Sequence, residues 1–158
     1  MITKRCLFMG TAAALLLVHP SLALAATPTV SVTKDPECGC CSGWVDHLRK
    51  DGFVVDVVIS TKLNQLKARL GVPSALVSCH TAEVDGYVIE GHVPADSIHR
   101  LLAERPALRG LSVPGMPVGS PGMEVEGQAP ETYSVIAFGS SGQRIFARYE
   151  GTKRLTAP

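Results

Sequence analysis

The chain has no excess of charge of one sign: 15 Lys and Arg face 14 Asp and Glu across 158 residues. That balance gives no case for a nucleic acid or another polyanion as partner. No pair of acids is spaced for general acid–base work, no Gly-x-Ser-x-Gly is present, and no phosphate loop occurs, so the common hydrolase and nucleotide-binding readings fall away. The apolar run Leu7–Val18 is too short for a comfortable membrane span. With 46% hydrophobic and 18% charged residues, the composition is that of a globular protein and not of a disordered chain.

What stands at the N-terminus is an address. Lys4 and Arg5, the greasy stretch after them and Ala23-Leu24-Ala25 describe a secretory signal peptide over residues 1–25. Cleavage there leaves 133 residues, 26–158, as one domain with a formal charge of −1, exported to the periplasm and without a membrane span.

Export sets how the cysteines are read. Cys38, Cys40, Cys41 and Cys79 remain after cleavage. Two structural disulfides fit poorly, because bridges within Cys38-Gly39-Cys40-Cys41 close tiny loops and restrict the unfolded chain little. The cluster lies at the mouth of an expected helix, whose free amides favour thiolates. Cys38 and Cys41 form a C-x-x-C pair suited to thiol–disulfide exchange, while three adjacent sulfurs suit a metal; spacing alone supports both.

A Pro/Gly-rich segment tips the balance towards metal. Met116 lies between Pro114 and Pro117, and Met123 follows Pro121 by two residues, a poor place for core filler and a stiff mount for soft donors. Cys79-His80 adds a thiolate and an imidazole, and His92 in Gly91-His92-Val93-Pro94 is either a ligand or a cap on the helix that follows. Soft donors of this kind select Cu(I), with zinc second, and their number suits thiolates bridging more than one copper ion. His47 and His99 read as solvated, and Trp44 as core that shields the site.

The pattern predicts β-α-β-α-β-β-α, an α/β, thioredoxin-like layout. Its strands are Val30–Thr33, a largely buried Phe53–Ile59, and a hairpin of Ala75–Cys79 with Tyr87–Glu90. Its helices are Ser42–Lys50, a second one capped by Thr61, and a third from about Pro94. Residues 108–130 are expected to hold neither helix nor central strand, with a C-terminal β-hairpin, Ser134–Phe138 and Arg144–Tyr149, beyond them.

Cys38-Gly39-Cys40-Cys41 with Trp44, Ser78-Cys79-His80-Thr81-Ala82, Gly86-Tyr87, Glu90-Gly91-His92-Val93-Pro94 and Val113-Pro114-Gly115-Met116-Pro117 with Gly119-Ser120-Pro121-Gly122-Met123-Glu124 occur in that order. Together they resemble the CopG-like copper-resistance proteins, also known as domain-of-unknown-function family 411 and unrelated to the DNA-binding repressor of similar name. The resemblance implies a periplasmic, thioredoxin-like copper binder with Cys38, Cys40, Cys41 and Cys79 as thiolate ligands and the family's Met loop at Met116 and Met123. The expected function is Cu(I) sequestration in copper tolerance, with cycling of the copper redox state and a copper exporter or redox protein as partner. Its rivals are a thiol–disulfide oxidoreductase using Cys38 and Cys41, and a non-catalytic metal-transfer module for an exporter.

Overall fold

The computed structural model describes residues 28–156, so the signal-peptide reading of residues 1–25 lies outside the described residues. Eight strands form one mixed sheet: β1 Val30–Lys34, β2 Val55–Ile59, β3 His80–Val84, β4 Tyr87–Glu90, β5 Gly110–Ser112, β6 Thr132–Gly139, β7 Gly142–Glu150 and β8 Lys153–Leu155. Three helices accompany it: α1 Gly39–Lys50, α2 Leu63–Leu70 and α3 Ala95–Glu104. The spatial order is β2-β1-β3-β4-β5-β6-β7-β8. β1 runs parallel to β2 and antiparallel to β3, and β4 runs parallel to β5. The expected β-α-β-α-β-β-α order holds from Val30 to Glu104. Among the described residues no helix is long and apolar enough to cross a membrane.

Strand alternation divides the interior in two. On β4, Ile89 joins a large core with Trp44, Val45 and Leu48 of α1 and Ile98 and Leu101 of α3. Its neighbour Val88 faces the other way, into a smaller core with Leu70 of α2, Leu76 and Phe138. Helices α1 and α3 therefore cover one face of the sheet and α2 the other. The apolar positions of α1 recur at helical spacing, Cys41, Trp44, Val45 and Leu48, and all four are buried.

Several expectations need correction. The strand expected at Ala75–Cys79 is displaced: Ser74–Leu76 is a single 3-10 turn and β3 begins at His80, so Cys79 precedes the strand instead of ending it. β2 is an edge strand, not a largely buried one. Only β1 pairs with it, and Val57, Val58 and Ile59 are exposed. A run of β-branched residues looks the same in either setting. Thr61 does not cap α2, whose N-cap is Lys62 with no side-chain bond. Residues 108–130 do contain an inner strand. β5 is three buried residues long, enough to bridge β4 and β6 before Pro114 intervenes. The C-terminal hairpin forms as expected, and β8 extends it.

Candidate metal centre

The register of the first strands brings the cysteines together. Lys34 at the end of β1 lies opposite His80 at the start of β3. The chain leaving β1 turns into α1 beside the residue entering β3, and Cys79 therefore meets the helix start. Cys38 is the N-cap of α1 and makes no side-chain cap bond, and Cys40 and Cys41 lie in the first turn. Here Cys38 and Cys41 are joined by a disulfide with their Cα atoms 5.4 Å apart, while Cys40 and Cys79 are free. Cys40 Sγ lies 3.5 Å from Cys38 Sγ and 3.9 Å from Cys79 Sγ. All four sulfurs fall within 4.8 Å of one another. In this state Cys38 and Cys41 are oxidised, and only reduction of the bridge would give them the thiolate form that a metal requires.

A second group shares Cys79. His92 Nε2 approaches Cys79 Sγ to 3.0 Å and His80 Nδ1 approaches it to 3.3 Å. His92 Nδ1 donates to the Pro121 carbonyl at 2.8 Å, which fixes the tautomer and leaves the Nε2 lone pair aimed at sulfur. His80 is fully buried between Trp44, 4.4 Å away ring to ring, and the edge of His92 at 5.0 Å. Its Nε2 has no hydrogen-bond partner among the described residues. These contacts are satisfied as a chain in which His80 Nδ1–H donates to Cys79 Sγ and the Cys79 thiol donates to His92 Nε2, which leaves His80 Nε2 bare at a cost of about 1–3 kcal/mol. Loss of the thiol proton leaves one sulfur and two imidazole nitrogens within 4.8 Å of one another, a donor set that fits a soft metal ion.

Electrostatics agrees. Burial, followed by repulsion from Cys40, pushes the Cys79 thiol up to about 12. Its thiolate therefore needs a positive charge nearby. Burial holds His80 well below its ordinary value, helped by His92 and Lys67, and burial likewise lowers His92. Both rings are neutral near pH 7 and keep lone pairs for a metal.

The Pro/Gly segment forms the rim. Gly122 adopts φ 84°, and a Cβ there would lie 2.5 Å from the Trp44 amide nitrogen and 2.6 Å from the Cys40 carbonyl. Only glycine lets this loop rest on the first turn of α1. At the other end Ser78 Oγ donates to the Gly115 carbonyl, tying the Met116 turn to the residue before Cys79. Met116 is exposed and Met123 half-buried. The backbones carrying both methionines thus flank the cysteines.

Residues 76–123, which span Cys79, both imidazoles and both methionines, match a family described as "Protein of unknown function, DUF411". A solved structure of copper resistance protein CopG, form 2, is 44% identical, with a TM-score of 0.73; the match covers 77% of this chain and 98% of that one. Form 1 is also 44% identical, with a TM-score of 0.72 and coverage of 78% and 98%. The chain belongs to the CopG copper-resistance protein family. No curated protein matches it.

In this CopG-family chain the outer histidines also find places. His47, expected to be solvated, is half-buried and accepts from the Ala95 amide at the start of α3 through Nε2, at 3.1 Å. That bond occupies the capping position suggested for His92, whose own ring points at Cys79 instead. His99 is exposed as expected and pairs with Asp51. Sequence reasoning missed Ser78, the Pro121 carbonyl, and the buried pair of Lys67 and Glu90 that stands behind Cys79. The pair left a signal: Lys67 interrupts the apolar stripe of Leu63, Leu66 and Leu70, and Glu90 closes a strand that is otherwise apolar.

Proposed function

We propose that this protein gathers Cu(I) in the periplasm through clustered thiolates and so contributes to copper tolerance. The observation that carries the reading is the convergence of four cysteine sulfurs from two segments 38 residues apart, with two neutral imidazoles on one of them. In the proposed site Cys38, Cys40, Cys41 and Cys79 supply thiolates that bridge more than one copper ion. His80 and His92 supply nitrogen, and Met116 and Met123 supply thioethers from the rim. Sulfur-rich donors favour Cu(I), and zinc is the second choice. The solved relatives are titled copper resistance proteins, which supports copper as the cargo.

The frame of this proposal is thioredoxin-like over the first four strands, in the order β2-β1-β3-β4 with β3 antiparallel to its neighbours, followed by four added strands. The signal peptide at residues 1–25 sends the chain through the membrane, and a copper exporter or redox protein receives the metal. Anaerobic titration of the reduced protein with Cu(I), against a chromophoric Cu(I) chelator, tests the reading. Wild type competes with the chelator, and Cys79→Ser, which removes the sulfur shared by both donor groups, weakens binding at least 100-fold. Equal binding by the two proteins refutes it.

The Cys38–Cys41 disulfide favours a second reading, redox cycling. Forming the bridge from two thiolates releases two electrons, which reduce two Cu(II) to two Cu(I) or one disulfide of a partner protein to two thiolates. A partner disulfide reduced by metal-free protein, at a rate indifferent to Met116→Leu with Met123→Leu, would favour the thiol–disulfide oxidoreductase over copper.

A further inference from the structure

Behind Cys79 lies a buried ionic cluster that ligates nothing. Glu90, at the end of β4, is wholly buried, and Lys67 on α2 is nearly so. Glu90 Oε1 accepts from Lys67 Nζ and from the backbone N–H of Ser78, each at 2.6 Å. Glu90 Oε2 accepts from Thr81 Oγ1 at 2.7 Å, and Thr81 Oγ1 in turn accepts from Lys67 Nζ at 2.8 Å. Thr81 stands directly opposite Glu90 in the β3–β4 register.

A buried ion pair of this kind does little for stability, since an apolar pair of similar volume is often as good or better. What an apolar pair cannot do is accept the Ser78 amide. Ser78 occupies a tight place: a Cβ on Gly91 would lie 2.4 Å from its Cβ and Oγ, and its hydroxyl holds the Gly115 carbonyl. The residue that follows is Cys79.

We propose that Glu90, held in place by Lys67, is a positioning residue for the metal centre. It clamps the Ser78 amide, which sets Cys79 Sγ against Cys40 and, through the Ser78 hydroxyl, seats the Met116 turn on the rim. Such outer groups are worth about 10–100-fold in metal affinity when removed. The proposal rests on the reading of the cysteines as a copper site.

Two double variants separate the accepted amide from the charge. Lys67→Met with Glu90→Gln removes both charges and keeps a carbonyl oxygen for Ser78. Lys67→Met with Glu90→Met keeps volume and removes the acceptor. Each is compared with wild type by Cu(I) competition under reducing, anaerobic conditions. A second, copper-free readout is the rate of Cys40–Cys79 bridging by diamide, mapped by mass spectrometry in a background carrying Cys38→Ser and Cys41→Ser. Both variants are expected to fold, as judged by circular dichroism. The acceptor-free variant should bind Cu(I) about 10–100-fold more weakly and bridge at least tenfold more slowly, with the Gln variant within threefold of wild type in both. Unchanged values in the acceptor-free variant overturn the proposal, as do equal losses in the two variants or weaker binding without slower bridging. Failure of either variant to fold overturns it too, because the pair would then serve the sheet. Wild type that binds no Cu(I) defeats the copper reading, and the bridging rates still decide this one.

Discussion

Replacing Lys67 alone by methionine should unfold this protein more easily, and more so in alkali than in acid. Lys67 Nζ sits 2.6 Å from Glu90 Oε1 and 2.8 Å from Thr81 Oγ1, at 6% side-chain exposure against 0% for Glu90. Removing it strands a carboxylate with two neutral donors, the Ser78 amide and the Thr81 hydroxyl. Breaking one side of a buried pair costs about 3–5 kcal/mol, which at a urea m-value of about 1.5–2 kcal/mol/M moves the midpoint by roughly 1.5–3 M. The pH dependence follows from Glu90. Burial already raises its pKa above the ordinary 4.5 despite the attraction of Lys67, and loss of that attraction raises it further. A carboxyl with a raised folded pKa contributes its full stability below the unfolded value and loses it as pH rises through the folded one. The deficit of Lys67→Met relative to wild type therefore grows from pH 5 to pH 7.5, by up to about 1.4 kcal/mol per pH unit between the two pKa values. Urea denaturation of the disulfide-intact, metal-free proteins at both pH values measures it. A loss under about 1 kcal/mol at pH 7.5, or the same loss at pH 5, refutes the reasoning.

Other perturbations probe the rim and the helix contacts. Gly122→Ala forces a Cβ into the backbone of α1 and should cost about 2–3 kcal/mol in denaturation, whereas Gly127→Ala, also at positive φ but in open space, should cost about 1 kcal/mol. Equal costs would contradict the close approach of the loop to Cys40. His47 accepts the Ala95 amide, and burial lowers its pKa below 6.5. Its contribution is present above that value and is lost as pH falls through the lowered folded one, so wild type should lose more stability between pH 7 and pH 5 than His47→Gln. Parallel curves would exclude the bond. Met116→Leu with Met123→Leu should weaken Cu(I) uptake and leave the thermal midpoint within a few degrees. Unaltered uptake would make the loop packing or partner surface.

Much of the site was legible because chemistry concentrates where sequence is unusual. Three cysteines in four residues at a helix start, a Cys-His pair and a Met loop between prolines announce a soft-donor cluster on spacing and residue type alone. The β-α-β-α-β-β-α order was legible for a different reason: periodicity reports which face of an element is covered, as Trp44, Val45 and Leu48 do for α1. Periodicity does not report position within a sheet. The valines of β2 therefore read as buried on an edge strand, and β5 was hidden among prolines because three residues carry no period. Displacement of β3 to His80 had the same cause, since Ala75–Cys79 has strand composition but closes a turn. The groups that hold the site were hardest to see. Pro121 acts through its carbonyl and Ser78 through its amide, and every residue has those. Lys67 and Glu90 were visible only as charges in apolar company, a signal that names no partner.

The central claim is that sulfurs from the Cys38–Cys41 turn and from Cys79 jointly hold copper. Mass-spectrometric metal analysis of the mature protein purified from copper-fed cells, beside a Cys40→Ser variant, tests it most directly. The account predicts more than one copper ion per chain in wild type and a lower ratio in the variant. One ion or fewer per chain, unchanged by Cys40→Ser, would contradict it.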